Sequence, residues 1–151
     1  VQHIIRLMER CTLAEIVEDP EVRALYGPLH ERHLRSIDLI RKLGRCEGGV
    51  ITFDVTDYDM EGYNKFVPYY LFPEGTYTVS VSLSSFRTKI SVGSSPWAHP
   101  EPRHNLATIC ERYGGGGHPR VGAISFERNE VERARAVARE IAEELRGEPR
   151  V

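Results

Sequence analysis

Five consecutive residues, Gly114-Gly115-Gly116-Gly117-His118, carry the sharpest chemical signal in the chain. One glycine after Tyr113 is enough to end a helix. Each further glycine costs roughly 0.5–1 kcal/mol relative to alanine, so four in a row ask for a cause. Backbone that takes positive φ, or that presses close to a ligand, supplies one. Successive free N–H groups in such a turn form an anion-binding concavity, here with the His118 imidazole at its edge. A helix C-terminus just before the run disfavours anions. The attraction would then come from local amides, His118 and nearby cations. A flexible connection with a surface histidine fits the same residues, and the residues alone do not choose.

Other candidates are weaker. Arg87 and Lys89 share one face of a strand by the period-two rule, and Ser80, Ser82 and Ser84 share one on its neighbour. Such a face suits a phosphate or nucleotide, although a solvated sheet face needs no ligand. Trp97, in the proline-rich segment 94–103, is either a base-stacking platform or a plug over the core. His99, His104 and His118 show no metal-ligand spacing, and His3, His30 and His33 read as solvent-facing. Asp54, Asp57 and Asp59 form an acidic cluster that reads as a loop rather than a metal site. No P-loop, G-x-S-x-G elbow or G-x-G-x-x-G after a strand occurs.

The chain that must position these residues has 151 residues, 40% hydrophobic, with 20 basic and 22 acidic side chains and net charge −2. That composition excludes a disordered tail, a stapled mini-protein and a strongly basic duplex-DNA binder. No apolar stretch of about 18 residues exists, so no membrane span is expected, and no secretory leader opens the sequence. Three scattered cysteines without C-x-x-C spacing read as free thiols of a reducing cytoplasm.

Residues 1–47 read as a helical arm. Thr12 and Glu15 form a capping box, Asp19-Pro20 starts a helix, Gly27-Pro28 interrupts it, and the next helical run stops at Gly44. At Gly48-Gly49 the period changes, and 48–151 reads as one α/β domain. Its expected elements are a central strand at 50–55, a polar loop at 56–64 and a short helix near 65–72. Half-buried strands follow at 77–83 and 86–92, joined as a hairpin through Ser84-Ser85. A helix at 105–113, a strand at 121–126 and a last helix capped by Asn129 with Glu132 complete the set. The fold class is therefore α/β, a mixed β-sheet with packed helices, preceded by an all-helical linker arm.

At Tyr113-Gly-Gly-Gly-Gly-His118, and over the order of elements from about 48 to 145, the chain resembles the C-terminal associated domain of Asp-His-His (DHH) phosphoesterases. These hydrolases include RecJ-like exonucleases, oligoribonucleases, cyclic-dinucleotide phosphodiesterases and exopolyphosphatases. The arm is similar to the linker that joins the two domains of such proteins. The resemblance implies a domain that closes over the substrate and holds its nucleotide or terminal phosphate. Another domain would carry two metal ions, usually manganese, otherwise magnesium, that activate water. Gly115, Gly116, Gly117 and His118 match the substrate-holding motif. Two positions depart from it. The arginine expected near Val81-Ser82-Leu83-Ser84 is absent or replaced by Arg87, and the usual Ala-Ala-Gly is Val121-Gly122-Ala123, preceded by Arg120.

Neither Asp-His-His nor the family's other aspartate motifs occur, and the first residue is Val1. The expectation is a C-terminal piece of a longer cytoplasmic phosphoesterase that binds substrate without hydrolysing it. Its candidate substrate-binding residues are Gly114, Gly115, Gly116, Gly117, His118, Arg120, Arg87 and Ser94, with no catalytic residue or metal ligand of its own. Its partners would be a short nucleotide or phosphate-bearing substrate and an N-terminal catalytic domain of the same protein. A homodimer is compatible with this reading. The alternatives are a stand-alone nucleic-acid or nucleotide-binding module without catalysis, and an interaction domain whose glycine run is purely structural.

Overall fold

The computed structural model describes residues 1–60 and 62–148 and divides the chain into two compact units, 1–37 and 38 onward. In the first, α1 (Gln2–Met8) and α2 (Leu13–Glu18) precede α3 (Pro20–Leu43), which runs past the boundary. The expected caps are present. Thr12 Oγ1 accepts from Glu15 N–H while the Glu15 carboxylate accepts from Thr12 N–H. Asp19 Oδ1 accepts from the N–H groups of Glu21 and Val22, and from His3 Nε2 at 3.0 Å. His3 is therefore engaged rather than solvent-facing.

Gly27-Pro28 does not interrupt the helix, because α3 continues through Pro28 for 24 residues. The proline withholds one N–H from the carbonyl of Ala24. Ala24 is exposed, so solvent reaches the vacated acceptor. The helix ends at Leu43, and 45–47 is not helical as expected but the strand β1 (Arg45–Glu47). It pairs antiparallel with β2 (Val50–Asp54) across Gly48-Gly49, both at positive φ. Those glycines turn a hairpin rather than mark where the sheet begins.

The second unit continues with α4 (Val67–Leu71), β3 (Tyr77–Leu83), β4 (Thr88–Ser94), α5 (Leu106–Glu111), β5 (Gly116–His118), β6 (Val121–Phe126) and α6 (Val131–Arg146). The mixed sheet has order β1-β2-β3-β4-β6-β5, with only β2 and β3 parallel. Pro68 lies in the first turn of α4, where its missing N–H costs nothing. The β3–β4 hairpin forms as the alternation predicts, but its turn spans 84–87. Ser84 N–H donates to the Arg87 carbonyl, and β4 starts two residues later than expected. Asn129 does not cap α6; Glu130 precedes the helix and its carboxylate accepts from Glu127 N–H instead.

The faces of the sheet differ. Tyr77, Val79, Val81, Ile90, Val92 and Ile124 form the core against Leu106, Ile109 and Cys110 of α5 and Ala134, Ala138 and Ile141 of α6. The opposite face of β3 carries Thr78, Ser80 and Ser82. Thr78 and Ser80 are as buried as the apolar set, so β3 is covered on both sides rather than half-buried. Two tyrosines make this possible. Tyr69 Oη shares a hydrogen bond with Thr78 Oγ1 (3.0 Å), and Tyr63 Oη shares one with Ser80 Oγ (2.9 Å).

The acidic cluster has a structural role. Arg135 of α6 donates to Asp54 Oδ2 (2.6 Å), Thr56 Oγ1 (2.7 Å) and Asp57 Oδ2 (3.2 Å), fastening the helix to the end of β2. Burial of Asp54 favours its protonated form, but hydrogen bonds from Thr56 and Arg135 outweigh it and hold the carboxyl below the usual range. A lowered folded-state pKa stabilises the fold above the unfolded carboxyl's pKa, and that stability disappears as pH falls through the folded value. Arg135→Ala is expected to lose about 1.5–3 kcal/mol at neutral pH, the size of a charged hydrogen bond. Urea titration should show the gap to the parent narrowing below about pH 4, where carboxylates protonate.

Candidate functional site

Past Tyr63 the polar face of the sheet is open, and there it forms the wall of a cavity of about 920 Å³. Strand register assembles this wall. Lys89 stands opposite Ser82 on one side and Ser125 on the other, Ser91 opposite Ala123, and Gly116 beyond Ala123. Serine, alanine and glycine keep the surface low, so a ligand can approach the backbone. The loop before α4 and the segment after β4 supply the rim, with Asn64, Lys65, Phe66 and Pro96.

Four cations, Lys65, Arg87, Lys89 and Arg120, line this cavity, and none of its described lining residues is acidic. Lys89 is half-buried on its strand. Burial, then the charges of Arg87 and Lys65, pull its ammonium below the usual lysine range. Arg87 is held by the turn: its N–H donates to Ser84 Oγ, its Nη1 donates to Ser125 Oγ (3.0 Å), and its guanidinium lies over the Phe86 ring. Arg120 occupies the turn between β5 and β6. Ser94 fixes that turn by donating its N–H and its hydroxyl to the Arg120 carbonyl (3.0 and 3.2 Å), while the Arg120 side chain faces Glu101 at 3.5 Å.

The glycine run is not one loop. Gly114 takes φ +78°, and Gly115 N–H donates to the Cys110 carbonyl while Gly114 N–H donates to that of Glu111, the Schellman end of α5. Gly115 and Gly117 lie against β6, where a Cβ on either would fall on a carbonyl oxygen, of Ala123 or of Val121. Gly122 meets them with the same restriction, since its Cβ would sit 2.5 Å from Cys110 Sγ. Within the run, Gly114 and Gly116 both have nothing within 4 Å of where a Cβ would stand; Gly114 is restricted by its positive φ, whereas Gly116 has neither restriction and lines the cavity. The fold therefore explains three glycines of the run and leaves Gly116 to the cavity.

Of the eight sequence-expected residues, Gly116, Gly117, Arg87, Ser94 and Arg120 line the cavity together. Gly114 and Gly115 stand outside that lining, and so does His118, exposed at the end of β5 opposite Val121. Lys65, Asn64 and Phe66 escape sequence reasoning, because the loop 56–64 and the start of α4 have no periodicity that points to the sheet. A usable signal exists in retrospect: Lys65-Phe66 and Phe86-Arg87 both pair a cation with an aromatic, and all four residues line the cavity.

His104, in the segment between β4 and α5, is buried, its Nδ1 at 3.0 Å from Tyr77 Oη. Among the described residues no three His, Cys, Asp or Glu side chains stand together as a metal-ligand set. The described residues thus offer no ligand set for a catalytic metal. No described helix is long and apolar enough to cross a membrane.

No protein-family model matches the sequence, and no curated protein matches it. Solved structures do. The pGpG-specific phosphodiesterase PggH from Vibrio cholerae superposes with a TM-score of 0.74 at 20% identity, over 91% of this chain and 48% of that one. An exopolyphosphatase-related protein from Bacteroides fragilis gives 0.57 at 16% identity, over 93% and 41% respectively. The chain spans about half the length of these proteins or less. At such identities the likeness is one of fold.

The glycine analysis makes a paired prediction. Gly115→Ala is expected to destabilise by about 1–3 kcal/mol, the range for forced overpacking. Gly116→Ala should stay within about 0.5 kcal/mol of the parent, as substitutions into open space do. Thermal and urea unfolding of the two variants check this. Equal losses would mean that Gly116 too is required by the fold.

Proposed function

We propose that this chain is the substrate-holding part of a DHH-family phosphoesterase, a C-terminal associated domain that binds a phosphate-bearing ligand in the cavity beside Gly116 and Lys89. The ligand class is a short oligonucleotide, a cyclic dinucleotide or a polyphosphate. Hydrolysis, with manganese or magnesium, would belong to a catalytic domain of the same protein. The observation that carries the reading is the charge of the cavity: four cations and, among its described lining residues, no carboxylate. Like charges gathered on a partly buried wall repel one another, and the Lys89 ammonium is pulled below its usual range first by burial and then by the charges of Arg87 and Lys65. A polyanion relieves it.

The physical roles follow from position. Lys89 on the floor and Arg87 at the end of the hairpin are placed to take phosphate oxygens, Arg87 by its planar fork. Ser82 and Ser91 offer hydroxyls beside them. Gly116, with open space where a side chain would be, lets a phosphate reach backbone N–H groups. The fold supports the same reading, because it recurs in a pGpG-specific phosphodiesterase and in an exopolyphosphatase-related protein. The likeness of Tyr113–His118 to the substrate-holding motif adds His118 as a residue at the outer edge of the site.

The test is calorimetric titration with a 5′-phosphorylated dinucleotide and with inorganic tripolyphosphate. Lys89→Ala and Arg87→Ala should each weaken binding about tenfold or more, the loss of one charged hydrogen bond. Affinity should fall as salt rises. It should also fall at alkaline pH before an ordinary lysine would titrate, since Lys89 loses its proton below the usual range. Binding that ignores salt and both substitutions would sink the proposal.

A further inference from the structure

The cations and the glycine wall leave one feature of the cavity rim without a role. Phe66 and Trp97 are 53% and 64% exposed, yet their rings meet, with centroids 5.3 Å apart and planes at 57°. They come from separate segments. Phe66 stands at the start of α4, its N–H donated to Asn64 Oδ1 at 3.0 Å. Trp97 follows β4, its N–H donated to the hydroxyl of buried Ser95 at 3.2 Å. Both backbones are therefore held while both rings stay largely in water. Neither ring belongs to the hydrophobic core. The tilt also leaves the face of each ring only partly covered by its partner.

We infer that Phe66 and Trp97 form a base-stacking platform that makes the cavity select a nucleotide over inorganic polyphosphate. The inference rests on the reading of the cavity as a phosphate site and narrows it. Phe66 lines the cavity beside Lys65 and Pro96, the last adjacent in sequence to Trp97. A cluster of cations on the cavity and an exposed aromatic pair at its rim, of which Phe66 lines it, match the two halves of a nucleotide: a flat apolar base and a charged phosphate. A polyphosphate chain uses the cations and leaves the rings in water. An apolar peptide would use the rings and leave Lys65, Arg87 and Lys89 without an anionic partner. Only a ligand with both parts satisfies both surfaces. Stacking on an aromatic does not depend on base identity, so the platform selects for the presence of a base rather than for its sequence.

Trp97 is the only tryptophan in the chain, so its emission reports directly on the platform. The expected result is that a 5′-phosphorylated dinucleotide quenches Trp97 fluorescence. Inorganic tripolyphosphate should bind without quenching and displace the dinucleotide. By calorimetry, Phe66→Ala and Trp97→Ala should each weaken dinucleotide binding roughly tenfold, as loss of one stacked base implies. Both variants should bind tripolyphosphate within about twofold of the parent, since the cations are untouched. Both side chains are more than half exposed, so the variants are expected to fold. The inference is overturned if the dinucleotide competes with tripolyphosphate but leaves the emission unchanged and both variants bind it as the parent does. The phosphate-site reading would survive that result. If neither ligand binds, or if Lys89→Ala has no effect on either, both readings fall.

Discussion

Two tyrosine hydroxyls decide where the polar face of this sheet is closed and where it is open. A strand face of threonine and serine cannot be buried without partners, because each unpaired hydroxyl carries a desolvation penalty. Tyr69 meets Thr78 and Tyr63 meets Ser80, so the first half of β3 is sealed under α4 and the preceding loop. Ser82 and the neighbouring Lys89 and Ser91 have no such cover and face the cavity. Burial pushes both tyrosines further toward their neutral forms, which keeps those hydrogen bonds in place across the physiological range. The wall thus begins where the tyrosines end, and the core on the opposite face carries the stability that the wall does not.

What the sequence makes legible is what local chemistry controls. Alternation along 77–83 and 86–92 identifies the hairpin, though β4 begins only at Thr88, Thr12 with Glu15 and Asp19 with Pro20 mark the helix starts, and Pro68 marks α4. The misses are tertiary. Arg45-Cys46-Glu47 is too short for its alternation to be read from sequence, and its pairing with β2 makes it a strand. Pro28 reads as a break, but an exposed Ala24 carbonyl tolerates the lost hydrogen bond. Asn129 is the better cap by type, yet Glu130 takes the position because its carboxylate reaches the N–H of Glu127. The candidate site divides in the same way. Arg87, Ser94, Arg120, Gly116 and Gly117 are placed together by strand register, which alternation already implies. Lys65 and Phe66 arrive on a loop whose path depends on where Tyr63 and Tyr69 dock, and no short-range pattern records that.

The electrostatics of the cavity run against the fold. Lys65, Arg87, Lys89 and Arg120 would be more stable apart, and the surface elsewhere shows how cations are usually treated: Arg112 pairs with Glu144, Arg135 with Asp54 and Arg146 with Glu47. Among the cavity cations only Arg120 has a carboxylate within ion-pair distance among the described residues, the exposed Glu101. Lys65, Arg87 and Lys89 have no such carboxylate among the described residues, and all three stand on one cavity. It is the arrangement expected when a charge from outside completes the network.

The run Gly114–Gly117 looks uniform in sequence but obeys separate constraints, and this has an evolutionary consequence. Gly114 answers to the end of a helix, Gly115 and Gly117 to the carbonyls of β6, and Gly116 to nothing within the fold. If the cavity binds the proposed ligand, a descendant of this chain that kept the architecture without it would drift first at the third glycine. The second and fourth would persist for as long as β5 still lay against β6. A relative reading Gly-Gly-Xaa-Gly at this point, with Lys89 replaced as well, would thus keep the fold without the open, cationic wall.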